Sequence, residues 1–415
     1  MCGRSAVLTL IFTLAFANTP SMSHAQTRAP KTLDIYYIDV EGGQATLFVS
    51  PSGESLLVDT GFPGERDAGR IMEAVKAAGL TQIDHLLSTH YHVDHIGNVV
   101  PLASMIPIKN FYDHGPTAEP DREQVPGFQK AYAEIHAKAK HTVLKPGDKI
   151  PFAGVDWLVA ISAMQPIKTA IKGAPGAGAP NPACATFQAK NTTGDPENGY
   201  SVGSVITFGR FRTIDMGDLL WDREFDLMCP TNRIGTIDVY LTTHHGSNLS
   251  GSEVQVHPLR SRVVIVNNGI RKGGSAEAFR VLETAPGLED IWQLHWSAPA
   301  GIEHNAPGVF IANIEDSAAL AAILTAPPLQ PGAGRGAPNA GVGAAVAPSV
   351  IAPGGQGQPP VAGAPAAPAG GRGSRGGGAP PHVPAYWIKV SANQDGSFTT
   401  MNTRNGFSKT YPARN

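Results

Sequence analysis

Three histidines and an aspartate within six residues, His90-Tyr91-His92-Val93-Asp94-His95, follow directly on an apolar segment, Ile83 to Ser88. A short apolar run bounded by polar residues reads as a buried strand, so the imidazoles leave a strand end on the loop that follows it. His90 and His92, two apart on an extended loop, can turn their rings to one side and share a metal ion. Asp94 and His95 lie just beyond, where the chain turns into a helix, and can face a second ion. Neutral imidazole and carboxylate oxygen suit zinc and similar borderline cations. A polar surface loop is the plain alternative, but composition alone places such a cluster in a chain of this kind with a chance on the order of 10⁻³.

The body that carries this cluster, about 32–326, alternates strands with helices. Leu33 to Val40, Ala45 to Ser50 and Ser55 to Asp59 read as strands, and Glu65 to Ala78 as a helix acidic at its start and stopped by Gly79. A second run covers Val155 to Ser162, Ser204 to Phe208, Arg212 to Asp215, Val239 to Thr243 and Val263 to Asn267. Ser275 to Thr284 then reads as a helix and Trp292 to Trp296 as a strand. Two runs of strands with helices between them imply an α/β fold: two sheets packed face to face and flanked by helices, an αββα sandwich.

Three segments lie outside that body. Arg4, the apolar run Ala6 to Ala17 and the small residues of Ser23-His24-Ala25 form a signal-peptide pattern over 1–25, with cleavage after Ala25. The run is shorter than the roughly 20 residues a spanning helix needs, and no other run in the mature chain reaches that length. Residues 327–384 hold 15 Gly and 13 Pro among 58 residues, with no Asp or Glu. Such a segment buries too little apolar surface to offset its ordering entropy, and reads as a disordered insertion. Beyond it, residues 385–412 read as a hairpin that rejoins the domain, Tyr386 to Val390 pairing with Phe398 to Met401 across Asn393 to Ser397. Export to the periplasm or medium leaves Cys184 and Cys229 in an oxidising compartment, either paired or as two free thiols. The formal net charge of -2 excludes a protein that coats nucleic acid through bulk positive charge.

HYHVDH after a strand resembles the metal-binding signature of the metallo-β-lactamase fold superfamily, and further motifs match in order over roughly 300 residues. Leu57-Val58-Asp59-Thr60-Gly61 is similar to the first motif, which implies that Asp59 is a structural partner near the site. Thr213-Ile214-Asp215-Met216-Gly217-Asp218 resembles the strand end whose carboxylate, here Asp218, bridges two metals. Thr243-His244-His245-Gly246-Ser247 resembles the last motif, whose histidine binds the second metal. Either His244 or His245 is that ligand; His245, directly before the glycine, is the better match, which leaves His244 to contact substrate. This HHGS form, with residues 38–46 and 200–209, resembles the metallo-hydrolase domain of the DNA-uptake protein ComEC.

The resemblance also marks departures. Most of the superfamily carries a lone histidine some 20 to 25 residues before the bridging aspartate, and Asn191 to Ser204 contains none. His114 and His141 are the histidines elsewhere that could replace it. Where ComEC-like domains carry Gly-His-Pro, this chain has Arg271-Lys272-Gly273-Gly274-Ser275. The implied metal ligands are His90, His92, Asp94, His95, Asp218 and His245, holding zinc in two sites, or manganese. The implied activity is that of an exported hydrolase using a metal-activated hydroxide. Asp94 would orient it and carry its proton, and His244 or Lys272 would stabilise the developing charge. Asp59 and Asp84 are the candidates for orienting the imidazoles. The ComEC likeness favours a small-molecule or nucleic-acid phosphodiester as substrate. A lactone, a thioester, a β-lactam, or a non-catalytic metal-stabilised binding module are the alternatives.

Overall fold

Strand-forming runs separated by turns and helices assemble two nine-stranded sheets in the computed structural model, which describes residues 32–122, 125–192, 194–314 and 385–414. The signal-peptide pattern (1–25) and the Gly/Pro-rich segment (327–384) lie outside the described residues. The chain first lays down β1 (Leu33–Tyr37), β2 (Thr46–Val49), β3 (Ser55–Val58), β4 (Ile83–Leu87), β5 (Ile108–Asp113) and β6 (Lys140–Val143). It then crosses to β7 (Lys149–Phe152), β8 (Val155–Ser162), β9 (Gln165–Pro166), β10 (Gly203–Phe208) and β11 (Phe211–Asp215). The second sheet continues with β12 (Val239–Leu241), β13 (Val263–Val266), β14 (Asp290–His295) and β15 (Ile311–Asn313). Finally β16 (Ile388–Ala392), β17 (Phe398–Asn402) and β18 (Ser408–Tyr411) return to the first sheet, where β16 pairs with β1 in the register Ile35↔Val390. The first sheet runs β18-β17-β16-β1-β2-β3-β4-β5-β6, and the second β15-β14-β13-β12-β11-β10-β8-β7 with β9 on β8.

Period-two alternation explains how one strand serves two layers. Leu56 and Val58 of β3 point between the sheets, while Leu57 between them points to the outer helices. Ile35, Tyr37 and Val58 meet Trp157, Ile206, Val239, Ile265 and Trp292 in the inter-sheet core. Phe48 meets Trp157 edge to face at 4.9 Å. Outside the first sheet, Leu57, Leu86 and Phe111 cover α1 (Glu65–Ala77) through Ile71, Ala74 and Val75. Outside the second, Ile214, Tyr240 and Val264 pack on α6 (Trp221–Met228), α7 (Glu253–Leu259) and α8 (Ala276–Glu283). The strands are apolar on both faces because both faces are covered. This is the αββα arrangement expected from the sequence.

Strands β3 to β6 are parallel to one another, as are β11 to β15. Each parallel set therefore ends along one edge of its sheet, which is where open α/β sheets place their ligand sites. Cys184 and Cys229 are joined in a disulfide, so the structure takes the first of the two alternatives the sequence left open. A crosslink between residues 45 apart stabilises by about 3–4 kcal/mol through lost unfolded-state freedom. Among the described residues no helix is long and apolar enough to cross a membrane.

Candidate metal centre

Four strand ends deliver the site. β3 runs into Asp59, whose φ of 59° is unusual for a residue with a side chain. β4 runs into Thr89-His90, and His92 precedes the short helix α2 (Val93–Ile96) that carries Asp94 and His95. β11 ends at Asp215, and the chain turns through Gly217 to present Asp218. Gly217 has φ 53°, and a Cβ there would lie 2.8 Å from the Cβ of Thr89, so position and conformation both demand glycine. β12 leads to a turn in which His244 and His245 both adopt left-handed backbone, φ 54° and 55°. Residues held there cost of order 1–3 kcal/mol each, which marks a turn shaped by what its side chains must reach. Backbone bonds tie these ends together: Val202 to Thr89 O (2.9 Å), His244 to Gly217 O (2.9 Å) and Gly274 to His245 O (2.8 Å).

Asp218 is the meeting point. Its Oδ2 lies 3.3 Å from His95 Nε2, 3.4 Å from His244 Nε2 and 3.9 Å from His90 Nε2. Its Oδ1 lies 3.3 Å from His245 Nε2. Asp94 Oδ2 lies 3.2 Å from His245 Nε2 and 3.4 Å from His95 Nε2, and accepts a contact from Lys272 Nζ. One ligand atom from each of Asp94, His95, Asp218 and His245 fits within 4.8 Å, and all four residues are buried. The two adjacent histidines of the last motif are thereby separated. His245 faces Asp94 and Asp218 together, whereas His244 reaches only Asp218 of the two and bonds Ser250 Oγ through its Nδ1 (3.2 Å).

Residue chemistry fits a divalent cation here. Nε2 of His90, His95 and His245 and Oδ1 of Asp218 are buried and make no hydrogen bond of ordinary geometry. Each such group costs about 1–3 kcal/mol when left alone, so their convergence is unexplained unless they share a cation. Burial, with His95 and His92 nearby, pushes His90 well below the usual histidine range and keeps it neutral, the form that ligates. Burial opposes ionisation of Asp218, yet His245, His95 and His244 hold its carboxyl well below the usual range. Burial likewise opposes ionisation of Asp94, but Lys272 and His95 hold it well below. For His95, burial is overcome by Asp218, Asp94 and Asp59, which raise it well above the usual value. The carboxylates of Asp94 and Asp218 thus draw positive charge into the cluster, which the raised His95 answers with a proton and a bound cation would answer in its place.

His92 turns elsewhere. Its Nε2 lies 3.2 Å from Asp195 Oδ1, 3.5 Å from Glu119 Oε2 and 2.5 Å from Arg122 Nη1. Its ring is nevertheless 4.7 Å from that of His90, so the two rings remain neighbours. His114 Nε2 donates to Glu197 Oε1 (2.9 Å) and His141 pairs with Asp113 (2.7 Å), so both are engaged outside the Asp218 cluster. Of the two carboxylates expected to orient imidazoles, Asp59 does so: its Oδ2 accepts from His95 Nδ1 at 2.7 Å and from Thr89 Oγ1 at 2.7 Å. Asp84 does not. It sits at the opposite end of β4 from His90 and bonds Ser55, Gln82 and Lys109. Asp195, Glu119 and Arg122 carried no local signal in the sequence, since they meet His92 only through tertiary contacts.

With its Nδ1 proton held by Asp59, His95 presents Nε2 to the cluster. Asp59→Asn is expected to weaken metal binding by about 10- to 100-fold, read by competition with a chromophoric chelator. An unchanged affinity would remove the orienting role.

Residues 38–162 match the family model of the metallo-beta-lactamase superfamily. The chain is 31% identical over 111 residues to a hydroxyacylglutathione hydrolase of Xanthomonas campestris pv. campestris (strain 8004), a match covering 27% of this chain and 34% of that protein. It thus spans about a third of the length of the curated relatives it matches. Among solved structures it is similar to the metallo-beta-lactamase fold protein YhfI from Bacillus subtilis, at 15% identity and a TM-score of 0.40, covering 63% of this chain and 96% of that one. It is also similar to Igni18, a metallo hydrolase from Ignicoccus hospitalis, at 14% identity and a TM-score of 0.35, covering 61% and 93%. Over residues 38–162 the chain thus resembles the metallo-beta-lactamase superfamily, and its αββα layers place a carboxylate–imidazole cluster at their strand ends.

Proposed function

We propose that the protein is an exported metal-dependent hydrolase of phosphodiesters, with zinc as its resident ion in two adjacent sites. The observation that carries this reading is the convergence of three buried, unbonded imidazole nitrogens on Asp218. His95, Asp94, Asp218 and His245 would hold one ion, and His90 and His92 with Asp218 the other. When bound, such ions supply Lewis acidity and bring the pKa of water toward neutrality. Asp94, ionised and beside His245, is placed to take the proton of the attacking water on a carboxylate oxygen and return it to the leaving oxygen. Lys272 Nζ at Asp94 and His244 Nε2 at Asp218 stand where negative charge develops on the substrate.

Two cations at the cluster, Lys272 and Arg122, suit an anionic phosphate better than a neutral ring. The HHGS form and residues 38–46 and 200–209 support the ComEC-like branch, and with it a phosphodiester. A thioester is the second reading, favoured by the likeness to hydroxyacylglutathione hydrolases over a quarter of the chain. The signal-peptide pattern and the Cys184–Cys229 disulfide support export. The test is hydrolysis by the purified mature chain of bis-p-nitrophenyl phosphate, a glutathione thioester, a lactone and a β-lactam. Preference for the phosphodiester is expected. Preference for the thioester would select the second reading, and a metal-loaded protein inert to all four would end the enzyme reading.

A further inference from the structure

We propose that Asp195 is a metal ligand of the first site, its Oδ1 joining His90, His92 and Asp218 where most of the superfamily carries a histidine. The inference rests on the metal reading above and assigns a side chain that the reading leaves open.

Three observations carry it. First, one ligand atom from each of His92, Glu119 and Asp195 fits within 4.8 Å, a second grouping beside the Asp218 cluster. Asp195 Oδ1 is the nearer carboxylate oxygen, 3.2 Å from His92 Nε2 against 3.5 Å for Glu119 Oε2. Second, the group bonded to His92 Nε2 is the guanidinium of Arg122, at 2.5 Å. Arginine only donates and a carboxylate only accepts, so with its lone pair on Nε2 His92 meets Asp195 Oδ1 at 3.2 Å with no proton between them, an arrangement that a cation would bridge. Glu119 is paired to that same guanidinium at 2.5 Å, whereas Asp195 Oδ1 stands 3.6 Å from it, so Asp195 is the less tightly held carboxylate. Third, the fully buried Nε2 of His90 has no hydrogen-bond partner, and its ring stands 4.7 Å from that of His92. The amide oxygen of Asn198, also fully buried, is likewise unbonded, while Asn198 Nδ2 donates to Asp195 Oδ2 at 2.9 Å. That bond holds one carboxylate oxygen and leaves Oδ1 turned to His92.

Replacing an imidazole by a carboxylate changes what the site prefers. Two imidazoles and two carboxylates form a harder donor set than three imidazoles and one carboxylate, so manganese gains on zinc at this position. Glu119 then acts as the holder of Arg122, which moves off His92 when an ion takes the lone pair.

The test is metal binding by the mature full-length chain, with bound zinc and manganese counted by mass spectrometry after dialysis at defined free metal. Wild type is expected to hold two ions. Asp195→Ala and Asp195→Asn are expected to keep one and to bind the other at least tenfold more weakly. Asp195→His is expected to restore the second ion and shift its preference toward zinc. Thermal unfolding of each variant separates ligand loss from misfolding, and the shape-preserving Asn variant serves if the Ala variant does not fold. Two ions bound by Asp195→Asn with affinities within twofold of wild type would overturn the assignment while leaving the metal reading standing. Equal binding by wild type and Asp218→Ala, or none by wild type, would overturn both.

Discussion

Asp218→Ala is expected to strip the protein of bound metal and to lower its hydrolytic kcat by about 10³-fold or more, equivalent to about 4 kcal/mol of barrier. Asp218 stands within 4 Å of four imidazoles, its oxygens facing His90, His95, His244 and His245. Alanine removes the only carboxylate shared between the two proposed positions, so neither ion keeps its full set of donors. It also leaves buried imidazole nitrogens with no counter-charge. Metal counting and turnover should therefore fall together. Retained metal with lost turnover would confine Asp218 to a catalytic role.

Asp94→Asn is expected to separate these two readouts. The carboxamide keeps the size and one oxygen of the carboxylate but accepts no proton at neutral pH, so kcat should fall about 10²- to 10⁴-fold. His95, His245 and Asp218 remain to hold an ion, so at least one should stay bound. Because Lys272 and His95 keep Asp94 ionised well below the usual carboxylate range, the wild-type rate should not lose its base in the mildly acidic region where an ordinary aspartate begins to protonate. A variant within threefold of wild type would remove Asp94 from proton transfer.

What was legible in the sequence follows from burial. β3, β4, β11 and β12 lie in the covered middle of their sheets, so they read as apolar runs, and each is followed within a few residues by a chemically loaded one: Asp59, His90, Asp218 or His245. β6 (KHTV) and β18 (SKTY) form the two edges of the first sheet, carry few buried side chains and give no such run. Alternation placed Leu57 and Leu56 on opposite faces, but periodicity says nothing about which strand end meets which. That limit explains Asp84, which shares a strand with the approach to His90 yet sits at its far end. It also explains Asp195, which lies in the very stretch singled out for lacking a histidine. Its pairing with His92 spans about a hundred residues and depends on how the turn before α5 (Pro196–Gly199) packs against the loop at Glu119. The separation of His244 from His245 likewise needed the left-handed turn, a backbone state that no spacing encodes.

Imidazoles and carboxylates from four strand ends converge on Asp218 as one candidate divalent-metal centre. Metal counting on the purified wild-type chain beside His245→Ala tests it most directly. Two ions on wild type, with one lost or weakened at least tenfold on removing the His245 ring, is the expected result; a wild-type protein that binds neither zinc nor manganese would contradict it.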